Sequence, residues 1–243
     1  MTNASSGELL ASYKRGGGRP PPDDERLDIR PDGSFEAHRT VGVPKAGGFA
    51  GRLDEATLRR LADAVAAVAD EPDAVIPTPR DGATEVIEAR GRQATLNANA
   101  RPPGPWGELA TQLRSLIVGP VIESPRAAIE LEVSPAQAAL AHVGSDPLEV
   151  DLSLIEIQVV RLDSQGIPGQ RWFATTRTGV DVDVAPPPRW VTAAAGWRQE
   201  LPFAHGIELA DGDSLQVIAT VPIREGGTLR VAKLGVLVAR LAG

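Results

Sequence analysis

The sequence predicts an α+β domain over residues 1–118, an antiparallel sheet with two packed helices, followed by an all-β, sandwich-like domain of immunoglobulin or fibronectin III type over residues 121–243. Three observations carry this reading. An amphipathic helix with an N-capping aspartate starts near Asp54, and a second helical stripe starts at Trp106. Gly119-Pro120 stops that stripe, since glycine frees the backbone and proline cannot donate to a helix. Beyond Val121 no helical period persists, and strand-like runs recur at roughly ten-residue spacing between turn signals.

In chain order, Glu8 to Lys14 reads as a strand broken by the run Gly16-Gly17-Gly18-Arg19-Pro20-Pro21-Pro22. Leu27 and Ile29 alternate with charged neighbours up to Arg30, Pro31-Asp32-Gly33-Ser34 is a turn, and Phe35 to Val41 alternates again, which together predict a β-hairpin. Gly42 to Gly51 reads as a loop. Asp54 then caps a helix with Glu55 in its first turn, where the helix dipole favours negative charge, and Leu53 is placed to staple onto Leu58. Leu58, Leu61, Ala62, Val65 and Val68 give that helix one apolar face, and it ends before Pro72. Thr84 to Leu96 forms two short strands around a Gly91-Arg92 turn. Pro105 suits the first position of the second helix, whose stripe is Trp106, Leu109, Leu113 and Leu116. In the second domain the strand candidates are Ala128 to Val133, Leu148 to Leu162, Arg171 to Arg177, Arg189 to Thr192, Arg198 to Phe203, Leu215 to Val221 and Thr228 to Leu241.

Composition narrows the function classes. Apolar residues make up 42% and charged residues 23%, ordinary for a folded chain, while Gly (25) and Pro (21) together approach a fifth of it and favour short elements joined by turns. A net charge of −7, with no basic stripe interleaved with aromatics, argues against nucleic acid. No Cys is present, which removes disulfides and thiolate metal sites. The apolar patch Leu9-Leu10-Ala11 is far shorter than a signal-peptide core and follows Glu8 rather than a basic stretch. No eighteen-residue apolar run occurs, so the expectation is a cytoplasmic protein with no membrane contact.

The loop Ser12-Tyr13-Lys14-Arg15-Gly16-Gly17, the segment Arg26-Leu27-Asp28-Ile29 leading to Asp32-Gly33, and the helix start from Leu53 to Leu61 give residues 8–118 a pattern that resembles the emfourin family. These are small bacterial inhibitors of thermolysin-like metalloproteases with a cystatin-like sheet and packed helices. The resemblance implies a protein partner, a metallopeptidase, held by steric occlusion. In that family Gly-Gly-Phe-Ala-Gly follows the first strand directly. Here the first loop is Gly16 to Pro22, and Gly47-Gly48-Phe49-Ala50-Gly51 comes one loop later. Residues 121–243 resemble no family.

Several residues carry side chains capable of chemistry. The glycine loop lacks the Lys-Ser/Thr of a phosphate cradle, and its prolines remove donors. Gly212-Asp213-Ser214-Leu215 spells the start of a GDSL-type esterase, but no histidine follows Ser214, and a turn explains it. Asp181 and Asp183 share one side of a strand without further oxygen ligands. His38, His142 and His205 have no metal-ligand spacing. Trp172, Trp190 and Trp197 would suit either a core or a stacking surface. The reading is therefore a non-catalytic protein-binding protein with no cofactor and no metal, its contact residues being Arg15, Gly16, Gly17, Gly18, Arg19, Asp23, Asp24, Glu25 and Phe49. One alternative is an accessory subunit of a larger bacterial assembly, docking through an exposed edge strand. Another, less favoured, is a hydrolase built on Ser214 or on Asp181 and Asp183.

Overall fold

The computed structural model describes residues 8–17, 23–78, 82–99, 102–134, 137–175, 187–202 and 210–239. In chain order these form β1 (Ala11–Gly17), β2 (Asp23–Ile29), β3 (Ser34–Arg39), β4 (Val41–Val43), β5 (Lys45–Arg52), α1 (Glu55–Ala67), β6 (Ala74–Val75), β7 (Ala83–Ala89), β8 (Arg92–Asn97) and α2 (Pro105–Val118). A 3-10 turn at Pro120–Glu123 leads into β9 (Pro125–Val133), β10 (Ala138–Gly144), β11 (Leu148–Asp151), β12 (Glu156–Leu162) and β13 (Pro168–Thr175). The last four are β14 (Trp190–Ala193), β15 (Arg198–Leu201), β16 (Ser214–Glu225) and β17 (Thr228–Ala239).

Strands take up 55% of the structure and helices 16%, with two α-helices among the described residues. This corrects the expected fold class, an α+β domain of an antiparallel sheet with two packed helices followed by an immunoglobulin- or fibronectin III-like sandwich. The protein is mostly β, built on large sheets that mix antiparallel pairs with the parallel pairs β6–β8 and β4–β17. The physical reason lies in segments whose local preferences are weak. Lys45–Arg52 is mostly glycine and alanine, reads as a loop, and is drawn into a strand by its pairing partners.

Two compact units result. One comprises Met1–Arg39 and Gly48–Pro125, and the other Thr40–Gly47 and Arg126–Gly243. The segment Thr40–Gly47, which the sequence reading placed in the first domain, thus belongs to the second unit.

In the first unit the strand order is β3-β2-β1-β7-β8-β6. β1 pairs antiparallel with β2 from Ala11↔Ile29 to Gly17↔Asp23, and on its other side with β7. Ala11, Tyr13, Leu27, Ile29 and Ile87 are buried on one face, to which α2 and α1 contribute Leu109, Leu113, Leu61 and Val65. Asp54 caps α1 by accepting from the Thr57 N–H at 2.8 Å. The Trp106 indole N–H of α2 donates to the Pro72 carbonyl at 3.0 Å, so the stripe residue also ties down the chain that follows α1.

The second unit contains the sheet β15-β10-β9 and the sheet β13-β12-β16-β11-β14, with β17 on the other side of β16 and β4 beyond it. Their inner faces share one core that includes Ile129, Leu131, Leu140, Ile157, Val159, Val217 and Leu234, with Ala46 from the Thr40–Gly47 excursion. β17 hydrogen-bonds to that excursion through Lys233 N–H to Thr40 O at 2.6 Å. No helix among the described residues is long and apolar enough to cross a membrane.

Candidate functional site

Arg15 and Glu25, which flank the glycine- and proline-rich segment singled out by the sequence, belong to a row of charges running across four strands. Cross-strand pairing sets Arg39 of β3 opposite Glu25 of β2, Glu25 opposite Arg15 of β1, and Arg15 opposite Glu85 of β7. The signs alternate, as neighbouring positions on one sheet face require. Arg39 Nε donates to Glu25 Oε1 at 2.5 Å and its Nη1 to the Ile117 carbonyl at 3.2 Å, near the end of α2. Arg15 Nη1 lies 3.8 Å from Glu25 Oε2. Glu85 accepts from the Tyr13 hydroxyl at 2.9 Å and from Arg114 of α2 at Nε and Nη2. Burial, and after it the Glu85 carboxylate, push the Tyr13 phenol far above its ordinary value. Glu25 and Glu85 are both buried. The row therefore ties β3, β2, β1, β7 and α2 together.

This changes what the predicted contact residues present. Gly16 and Gly17 are interior strand residues, paired with Asp24 and Asp23 on one side and with Thr84 and Ala83 on the other. Glu25 is occupied within the row, and Phe49 is buried at 1% exposure in β5. Arg15 is half-buried and Asp24 exposed. Gly18 and Arg19 lie outside the described residues, as does the side chain of Asp23. The charge row was missed at the sequence level although a signal was present: Arg15 shares the inward parity of Tyr13, and Glu25 that of Leu27 and Ile29.

A second surface stands out at β13. Its one partner among the described residues is β12, so it forms an edge of its sheet. Trp172 and Ala174 lie opposite Val159 and Ile157, and Trp172 packs on the core. The other positions are exposed, with Phe173 at 66%. On that outer face Gln158 stands opposite both Phe173 and Ile218, and Leu237, opposite Gln216, is 63% exposed. Arg171 makes no ion pair among the described residues. The edge strand β15 of the unit's other sheet contrasts with this, because Arg198 there is paired with Glu132 and Glu200. Charge is a usual guard against strand addition, and β13 has little of it.

The remaining motifs resolve into structure. Asp213 is buried, takes Arg161 Nε at 2.7 Å and accepts from the Ala210 N–H, while Ser214 opens β16. Trp197 packs on the second unit's core, and Arg224 lies over the Trp190 ring at 4.2 Å. His38 and His142 are buried, and no group of three or more acidic or histidine side chains suited to a metal occurs among the described residues. Asp181, Asp183 and His205 lie outside them.

No family model matches the chain, and no curated protein or solved structure matches it.

Proposed function

We propose that this is a non-catalytic protein-binding protein that docks its partner by strand addition at β13, as an accessory subunit of a larger assembly. The observation that carries this reading is the edge itself: a strand paired on one side among the described residues, with Phe173 two-thirds exposed and no ion pair along it. An added strand gains main-chain hydrogen bonds at every second residue, while pockets between outward side chains supply selectivity. Against catalysis stand Asp213, engaged by Arg161, and the buried carboxylates Glu25 and Glu85, each held by arginine.

The test is co-purification of the full chain from its native host, beside Phe173→Lys and Ala174→Pro variants. A stoichiometric partner retained by the parent and lost by both variants supports docking at β13. A partner retained equally by the variants overturns it. The narrower form, inhibition of a thermolysin-like metallopeptidase by the residue 15–25 loop, draws support from the exposed Asp24 and half-exposed Arg15 at its rim. Unaltered cleavage of a peptide substrate at micromolar protein would count against it.

A further inference from the structure

The turn between β7 and β8 borders a hollow of about 440 Å³ on the first unit, walled by Leu9, Glu88, Ala89, Arg90, Arg92 and Gln93 among others. The turn is tight: Arg90 and Gly91 both take left-handed backbone, with φ of 48° and 71°, the pattern of a two-residue hairpin that matches the strand twist. Ala89 is paired with Arg92, so the turn fixes Arg90 and Arg92 on either side of Gly91 at the mouth of the hollow.

The chain carries 32 acidic residues against 25 Lys and Arg, and several of its exposed arginines find a carboxylate. Arg26, Arg30, Arg52, Arg59, Arg126 and Arg198 all do so. Arg90 and Arg92 make no ion pair among the described residues. The carboxylate in the wall, Glu88, is instead held by Lys14 at 3.5 Å. Guanidinium groups present planar forks of donors that match an oxyanion, and here both arginines line a hollow that Leu9, 37% exposed, also borders.

We propose that this hollow binds a small organic anion, its oxyanion bridged by Arg90 and Arg92 and its apolar body resting on Leu9. The oxyanion is a carboxylate or a phosphate monoester. The site lies in the first unit and stands apart from the β13 reading, so either fails without the other.

Calorimetric titration of the full chain with phenyl phosphate, phenylacetate and inorganic phosphate tests it. Saturable binding of one aromatic anion, with inorganic phosphate about tenfold weaker or more, is expected, and which aromatic anion binds tighter decides the source of the oxyanion. Arg90→Gln/Arg92→Gln should weaken binding at least about tenfold, because both charge-assisted contacts go. Glu88→Gln, which removes the carboxylate from the wall and frees Lys14, should strengthen it and gives a readout should the double variant fail to fold. No saturable binding up to about 10 mM, or an affinity unmoved by both sets of substitutions, overturns the site. Inorganic phosphate binding as tightly as the aromatic anions overturns the apolar half of the proposal.

Discussion

A carboxylate taken out of water must be met by donors, and Glu85 is met by the Tyr13 hydroxyl and the Arg114 guanidinium. Removing one partner of such a group leaves its charge uncompensated, at a cost of about 3–5 kcal/mol, whereas replacing the whole set by apolar side chains of similar volume is often neutral. Arg114→Met should accordingly lower unfolding stability by about that amount in urea titration, and Glu85→Leu combined with Arg114→Met should recover most of it. Asp151 gives the pH counterpart. Burial alone would raise its pKa, but the Ser153 hydroxyl and N–H and the Arg189 N–H, all within 2.9 Å of Oδ1, outweigh burial and hold it below the usual carboxylate value. A depressed folded pKa gives stability that is present above the unfolded value near 3.8 and lost as pH falls through the folded one. Asp151→Asn should thus destabilise the protein at neutral pH and flatten its acid denaturation by about one proton, read from unfolding midpoints between about pH 2 and 7. Side-chain parity made Arg15 and Glu25 readable as inward-facing, yet charge in a strand is ordinarily taken as solvent-facing, and only the cross-strand register shows that opposite signs meet.

Elements were legible where local chemistry decides them. Asp54, Leu53 and the apolar stripe place the start of α1, and Asp54→Ala should lower the unfolding midpoint through loss of the cap. β5 was illegible for the opposite reason. Its glycines look like a loop, but Gly47 is needed because the backbone of β9 passes so close: an added Cβ would lie 2.3 Å from the Ala127 carbonyl oxygen, at a φ of +133° that side chains avoid. Gly47→Ala should then cost about 1–3 kcal/mol or more, measured as a lowered unfolding midpoint, since both strands must shift. β10 escaped notice similarly, because Ala138, Ala139 and Ala141 carry little strand preference and are held by Val133 to Ala127 on one side and Leu201 to Arg198 on the other. Glycine and alanine in these strands record close backbone approach, which no local propensity encodes.

At the scale of the molecule, the sequence marked a change of texture near Gly119-Pro120, and the division into units falls at Pro125 and Arg126. What no linear reading supplied is that Thr40–Gly47 belongs with Arg126–Gly243, because that membership rests on a parallel pairing, Lys233↔Val41, between residues far apart in the sequence. A fragment of residues 126–243 would lack Ala46 from its core and β4 from the edge of β17. Such a fragment should unfold non-cooperatively in a denaturant titration, and adding a peptide of residues 38–49 should restore part of the transition. The reverse outcome, a cooperative fragment indifferent to the peptide, would mean that the excursion decorates a core already complete without it.

The same excursion sets a timetable for the newborn chain. Val41 leaves the ribosome long before Lys233, and at about 5–20 residues per second the interval between them is roughly 10–40 s. Throughout that time the second unit waits for a strand already made, and the first must carry it without committing it elsewhere. Brevity suits β4 to the delay: three residues, one of them glycine, make a poor template for a passing chain.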